Sequence, residues 1–265
     1  MLANIKLIAK GYSMYWIGVD TGGTFTALVT YNSSTGELRS LKTPSTPNNH
    51  AAGVMRAVSE TGIHPSDIST FAHGTTVATN TALEQNGSKI GVITTSGYRD
   101  VLIVGRGNRT QLYDLTAVRP KGFVERHRVF EVRERVTVDG EIYEPLNEDD
   151  VRRACNAFLT EEVETIAVCF LHSYANSQHE VRAAEIIRSK LPNIHISTSS
   201  TILPEYREFE RFSTTALNAY VAPKTSKYLK NLEQDLLSFG LKTPIKIMGS
   251  YAGTWTVGQI AERPA

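Results

Sequence analysis

Residues 17–26 read Ile17-Gly18-Val19-Asp20-Thr21-Gly22-Gly23-Thr24-Phe25-Thr26, a β-branched run that ends in a carboxylate and meets a Gly-Gly turn. A second apolar run, Ala27-Leu28-Val29, follows. The pattern predicts a β-hairpin whose turn offers unhindered backbone N–H groups beside Asp20. Thr21, Gly22, Gly23 and Thr24 could then cradle phosphate oxygens, while the Asp20 carboxylate holds a hydrated Mg²⁺. The turn lacks the Gly-Lys-Ser/Thr ending of a Walker loop, and it has no Gly-x-Gly-x-x-Gly before a helix. The plainer alternative is an ordinary tight hairpin in which Asp20 accepts turn N–H groups.

Two further stretches have residue types suited to anions. His73-Gly74-Thr75-Thr76 ends a short strand at 69–72 and opens a helix, where exposed N–H groups and two hydroxyls favour negative charge. A simple helix cap is the competing reading. Asn80 lies one turn into that helix. Arg99, Arg106 and Arg109, with Asn108, place three guanidinium groups in a stretch that has lost all periodicity. Such groups bind carboxylate or phosphate in bidentate fashion, although a solvated loop or a subunit contact would use the same residues. Tyr113-Asp114 is expected to anchor this loop. Further on, Glu205, Arg207, Glu208, Glu210 and Arg211 set opposite charges three apart, which predicts a surface network on a helix.

Asp20-x-Gly-Gly-Thr-Phe-Thr, His73-Gly-Thr-Thr-x-Ala-Thr-Asn80, Gly97-Tyr-Arg-Asp100, Gly105-Arg-Gly-Asn-Arg109 with Leu112-Tyr-Asp-Leu115, and Leu203-Pro-Glu-Tyr-Arg-Glu-x-Glu-Arg211 occur in that order. Together they resemble the A-type subunit of the hydantoinase/oxoprolinase family, over roughly residues 15–265. The resemblance implies the actin/Hsp70/sugar-kinase fold, in which two ribonuclease-H-like lobes close over a nucleotide. It also implies ATP and Mg²⁺ as cofactors, with Asp20 catalytic. The implied activity is that of a hydantoinase, an oxoprolinase or a ketone carboxylase: ATP activates a cyclic amide, or a ketone enol or bicarbonate, for a B-type partner subunit. Glu205 or Arg207 becomes a candidate cleft residue on the same ground.

The sequence departs from that pattern in two places. Relatives commonly carry an acidic residue where this chain has Ala27, and Ser250-Tyr-Ala-Gly253 replaces a Ser-x-Gly-Gly turn. On this resemblance, most of a second lobe is expected to lie outside these 265 residues. The expected division is a first ribonuclease-H-like domain over 14–200 and the start of the second lobe over 201–265. The expected partners are a B-type subunit and a chain supplying the second lobe, in a hetero-oligomer. A non-catalytic structural or regulatory subunit is the rival reading.

The elements that must position these residues alternate between strand and helix, which predicts an α/β fold. Residues 17–19, 26–30 and 37–43 read as three strands, and Asn48 or Asn49 caps a helix carrying Val54, Ala57 and Val58. A helix over 77–86 is closed by Gly87, and a buried strand follows at 89–94. A hairpin turns at Asp139-Gly140. Asn147 caps an amphipathic helix with Val151, Ala154, Cys155, Phe158 and Leu159 on one face. Strand 164–171, helix 177–190 and strand 194–198 form a parallel βαβ unit. One helix runs from Pro204 to about Val221 and a second from Pro223 to Leu237, before a last strand at 244–248.

Composition excludes more than it selects. Lys and Arg number 28 against 27 Asp and Glu, so net charge gives no support to nucleic-acid or membrane-surface binding. No apolar run is long enough to span a membrane, and residues 1–13 lack a signal-peptide cleavage site. Cys155 and Cys169 read as reduced core thiols of a cytoplasmic protein.

Overall fold

The computed structural model describes residues 14–46, 49–108, 113–114, 116, 122–250 and 253–265. In chain order the first elements are β1 (Tyr15–Thr21), β2 (Phe25–Asn32), β3 (Leu38–Pro44), α1 (His50–Glu60) and β4 (Ile68–Thr75). Next come α2 (Val77–Leu83), β5 (Ile90–Thr95), α3 (Val101–Val104), β6 (Val129–Val132), β7 (Arg135–Val136), β8 (Ile142–Glu144), α4 (Glu148–Thr160) and β9 (Thr165–Cys169). The remainder is α5 (Gln178–Lys190), β10 (His195–Thr198), α6 (Ser199–Ile202), α7 (Glu208–Phe239), β11 (Ile245–Met248), β12 (Thr254–Thr256) and α8 (Val257–Glu262).

The chain divides into two compact units, one of residues 1–77 and 226–261, the other of 78–225 and 262–265. This division differs from the expected boundary at 200/201. The reason is a strand pairing: β11 lies parallel to β4, with Ile245 beside Phe71, and draws residues 226–261 into the first sheet.

That first sheet runs β12-β11-β4-β1-β2-β3. β1, β2 and β3 are antiparallel neighbours, while β1, β4 and β11 are parallel. Period-two alternation sends Ile17, Val19 and Thr21 of β1 inward and Trp16, Gly18 and Asp20 outward. The inward face packs on Val54, Ala57 and Val58 of α1, on Leu229, Leu232 and Leu236 of α7, and on Val257 of α8. Asn49 caps α1, its side chain accepting from the Ala52 amide at 3.2 Å; the alternative cap Asn48 lies outside the described residues.

The second unit holds a parallel sheet, β10-β9-β5-β6, whose central strands β5 and β9 are buried on both faces. Ile93, Ile166 and Val168 meet Val151, Cys155 and Phe158 of α4 and Ala183 and Ile187 of α5. Ile90, Val92, Ala167 and Cys169 meet Phe212, Ala216 and Ala219 of α7. Both cysteines are buried and unpaired by disulfide, and burial raises the pKa of each thiol.

Three local expectations change. α2 ends at Leu83, and the left-handed residue after it is Gln85 (φ 53°) rather than Gly87. Gly87 is required for another reason: a Cβ there would lie 2.3 Å from the Tyr220 ring. The two helices expected around Pro223 are one helix, α7, with the proline inside it. Proline removes one N–H and crowds the preceding turn. Here buried residues on either side, Val221 and Ala222 before it and Leu229 and Leu232 after it, hold the helix together.

The third change concerns Arg211. Instead of a surface partner for Glu208, it is fully buried. Its Nε donates to Ser199 Oγ (3.2 Å), one terminal nitrogen to the Glu205 carbonyl (2.8 Å) and the other to the Phe170 carbonyl (3.1 Å). Ser199 in turn donates to Glu180, whose carboxylate also accepts from the Phe170 and Ser200 amides at 2.9 and 2.7 Å. Burial raises the Glu180 pKa and these hydrogen bonds oppose it. Arg211→Ala is expected to cost about 3 kcal/mol or more, because two carbonyls and the Ser199 hydroxyl lose their buried donor. Arg211→Lys should recover little, since an ammonium cannot reproduce three separately directed bonds. Urea denaturation of the three forms measures both effects.

Candidate functional site

The hairpin expected at residues 17–30 is present, and the turn between β1 and β2 is closed by the Gly22 amide donating to the Phe25 carbonyl at 3.0 Å. That bond uses Gly22 internally. Gly23 and Thr24 form the exposed tip. The turn is braced from below by Ser45, whose hydroxyl donates to the Gly22 carbonyl (2.8 Å) and lies 3.0 Å from Thr26 Oγ1. Its amide also donates to the Thr24 carbonyl at 2.9 Å. Ser45 sits in Pro44-Ser45-Thr46, which carries only a strand-breaking signal in the sequence.

Asp20 is exposed at the end of β1, between Ala27 of β2 and Gly74 of β4 in register. A Cβ at Gly74 would come within 3.1 Å of Asp20 Oδ1, so glycine there leaves the carboxylate its room. On the far side of Ala27 the row continues to Lys42 of β3, whose ammonium lies over the Phe25 ring at 4.4 Å. The next residues of β1 and β4 are also paired. Thr76 donates through N and Oγ1 to the Thr21 carbonyl at 3.3 and 3.4 Å. Thr75 Oγ1 accepts from the Val77 amide at 3.3 Å.

The strand reaches Thr75, three residues beyond the expected end at 72, and this decides where His73 points. Alternation turns its ring inward, opposite to Gly74, and the side chain is fully buried. Its Nε2 lies 2.7 Å from the Tyr228 hydroxyl of α7. Burial lowers the His73 pKa to about 4, against a smaller opposing pull from the Val19 backbone. Tyr228 is raised to about 12 by burial, with the Thr21 and Thr75 hydroxyls acting in the other direction. Thr21 Oγ1 is nevertheless buried without a hydrogen bond of good geometry, as is His73 Nδ1. His73 therefore has no surface to offer a phosphate. Tyr228 was invisible to motif reading, because a buried aromatic on a helix has no local signal.

The remaining candidates, Asn80, Arg99, Arg106 and Asn108, belong to the second unit. Asn80 is half-buried on α2 and Asn108 is exposed. Arg99 donates to the Arg126 carbonyl at 3.2 and 3.4 Å, and the Arg126 guanidinium grips Asp100 at 2.7 and 2.9 Å. Arg106 is ion-paired with Glu210, so Glu210 serves Arg106 rather than the expected Arg207. Arg109 lies outside the described residues. Asp114 anchors a local turn by accepting from the Thr116 amide at 2.8 Å and hydroxyl at 2.7 Å, while Tyr113 is exposed.

A Mg²⁺–phosphate group fits the Asp20 turn in one respect: it would meet one exposed carboxylate beside an exposed Gly-Thr tip. Among the described residues no cluster of three or more His, Cys, Asp or Glu could hold a metal ion by itself. Any Mg²⁺ here would depend on phosphate and water for most of its ligands, which is its usual habit.

The model of the hydantoinase/oxoprolinase N-terminal region matches residues 16–191. The chain belongs to this family. Among the relatives of this hydantoinase/oxoprolinase chain is an uncharacterised protein of Methanocaldococcus jannaschii, 39% identical over 95% of this chain and 37% of that protein. Another is the alpha subunit of caprolactamase from Pseudomonas jessenii, 30% identical over 90% of this chain and 36% of that subunit. The nucleotide-free structure of acetone carboxylase, an enzyme of ATP-dependent acetone carboxylation, superposes with a TM-score of 0.84 at 25% identity, covering 94% of this chain and 38% of that one. The fold is thus that of the actin/Hsp70/sugar-kinase superfamily, with the β3-β2-β1-β4-β11 order of a ribonuclease-H-like lobe. This chain spans just over a third of the length of these relatives. Among the described residues no helix is long and apolar enough to cross a membrane.

Burial of neutral His73 has a consequence for stability. Its folded pKa, about 4, lies below the ordinary 6.5. Above pH 6.5 the ring is neutral in both states. Between 6.5 and 4 the unfolded chain takes a proton that the folded chain refuses, so stability falls as pH drops. The full loss is about 3 kcal/mol. Denaturation midpoints at pH 7 and pH 4.5 should differ accordingly, and His73→Gln should flatten this part of the profile.

Proposed function

We propose that this chain is the phosphate-binding part of an ATP-dependent hydantoinase/oxoprolinase-type enzyme, in which ATP activates a cyclic amide for hydrolysis by a B-type partner subunit. The supporting observation is the Asp20 row. An exposed carboxylate stands beside the Gly22-Gly23-Thr24 turn, and Gly74 keeps its space clear. The tip amides of Gly23 and Thr24 would bind phosphate oxygens, and the Asp20 carboxylate would hold Mg²⁺ through water. That ion supplies charge neutralisation on the phosphates during transfer. Transfer of the γ-phosphoryl group to the amide oxygen, with loss of the N–H proton, would leave ADP and an imidate-like phosphate ester. Water would add to its carbon, and the ring C–N bond would break with the nitrogen leaving as the amine. Hydrolysis of the acyl phosphate so formed would release the carboxylate and inorganic phosphate.

The ketone-carboxylase branch would use the same cradle to phosphorylate an enol oxygen or bicarbonate. The named relatives include both a lactamase and a carboxylase. A second reading, a structural or regulatory subunit without catalysis, draws on Ala27, which leaves Asp20 without a neighbouring carboxylate across the strand.

Asp20→Asn is expected to abolish ATP turnover by the assembled enzyme, falling at least about a hundredfold, while subunit assembly survives. Steady-state ATPase assays with size-exclusion chromatography measure the two. Unchanged turnover would leave Asp20 a turn residue and favour the structural subunit. Gly74→Ala is expected to act in the same direction and less severely, about tenfold, because its methyl group displaces the carboxylate without removing it.

A further inference from the structure

We propose that Tyr228 is a positioning residue for phosphoryl transfer: its hydroxyl, bonded to His73, holds the paired ends of β1 and β4 that present Asp20 and the phosphate turn. The proposal rests on the reading of that turn as a phosphate cradle.

The geometry begins with register. Val19 pairs with His73, Asp20 with Gly74 and Thr21 with Thr75. Alternation sends Asp20 and Gly74 to the open face, and Val19, Thr21 and His73 to the buried one. The buried side chains are therefore one residue from the groups that would meet phosphate. Under them the Tyr228 hydroxyl lies 2.7 Å from His73 Nε2, and the Thr21 and Thr75 hydroxyls are near enough to act on its ionisation. The ring is wedged against His50, the first residue of α1, edge-on at 5.9 Å between centroids. Tyr228 thus joins α7 to β4 through its hydroxyl, close to Thr21 of β1, and touches α1 through its ring.

A buried polar cluster in this place is costly unless it performs a task. Apolar side chains would fill the volume without leaving Thr21 Oγ1 and His73 Nδ1 poorly partnered. What the polar cluster supplies, and an apolar filling would not, is direction. The hydrogen bond fixes α7 against β4 beside Gly74, whose partner in register on β1 is Asp20. A misplacement of about 1 Å there is enough to lower a transfer rate by two orders of magnitude.

The test uses the assembled enzyme with Mg-ATP. Tyr228→Phe keeps the ring and removes the hydroxyl. The expected result is a kcat for ATP turnover at least tenfold lower per folded enzyme, with KM for ATP changed less than threefold. A purely structural role would lower the melting temperature and leave kcat unchanged, and kcat within twofold of the parent overturns the proposal. His73→Gln, which can still bond the hydroxyl, should retain kcat within threefold, whereas His73→Leu should lose tenfold or more. If Tyr228→Phe does not fold, the histidine pair decides: equal losses overturn the proposal and a loss confined to Leu supports it. Asp20→Asn run in parallel separates the two levels. Turnover surviving that change removes the cradle and this proposal with it. Turnover abolished by Asp20→Asn but untouched by Tyr228→Phe removes this proposal alone.

Discussion

The parallel pairing of β1 with β4 governs the first unit. Each residue of β1 from Trp16 to Thr21 has a fixed partner in β4, and the pleat gives successive pairs opposite faces. Because the period is two, a shift of register by one residue would bury Asp20 and expose His73. The inward residues Ile17, Val19 and Phe71 are locked against α1 and α7, so the register cannot slip without losing the core. Asp20 and Gly74 are consequently presented to solvent by the same packing that buries their neighbours. The exposure of Asp20 is a by-product of hydrophobic burial, and its placement is inherited from that packing.

The second unit solves a different problem. The central strands of its sheet are buried on both faces, yet the Glu180–Ser199–Arg211 network is buried beside them. Arg211 satisfies the Phe170 and Glu205 carbonyls, which lie in connecting segments rather than in ladders. A nearby set, Thr95, Glu134 and His179, is also buried, with His179 Nδ1 2.7 Å from Glu134 and the Leu171 amide donating to Thr95 Oγ1 at 2.8 Å. Both networks tie down the backbone that follows β9, at Phe170 and Leu171. Buried charge is retained here where loops enter the interior and need partners.

Much of this was legible in the sequence, for reasons that can be stated. The hairpin at Gly22-Gly23, the Asn49 and Asn147 caps and the buried strands β5 and β9 depend on neighbours in the chain, and local patterns record them. What the sequence concealed depends on contacts between distant residues. β11 joins β4 across more than 170 positions. Tyr228 reaches His73 across 155. Arg211 looks like one member of a charged helix surface until Phe170 and Ser199 are brought to it. His73 was placed with Gly74 in an anion site because a motif lists residues in order, whereas a strand sends them to opposite faces. Composition leaves the Arg99 and Arg106 loop open between an anion site, a solvated loop and a subunit contact, and the partners each guanidinium has within its own unit depend on residues distant in the chain.

The central claim is that the Gly22–Thr24 turn and Asp20 form the phosphate end of a nucleotide site completed by a second lobe. A crystal structure of the assembled enzyme with Mg²⁺ and a non-hydrolysable ATP analogue tests it most directly. The account predicts phosphate oxygens at the amides of Gly23 and Thr24, with the metal's water shell at the Asp20 carboxylate. Phosphates bound elsewhere, with the turn amides and Asp20 facing only water, would contradict it.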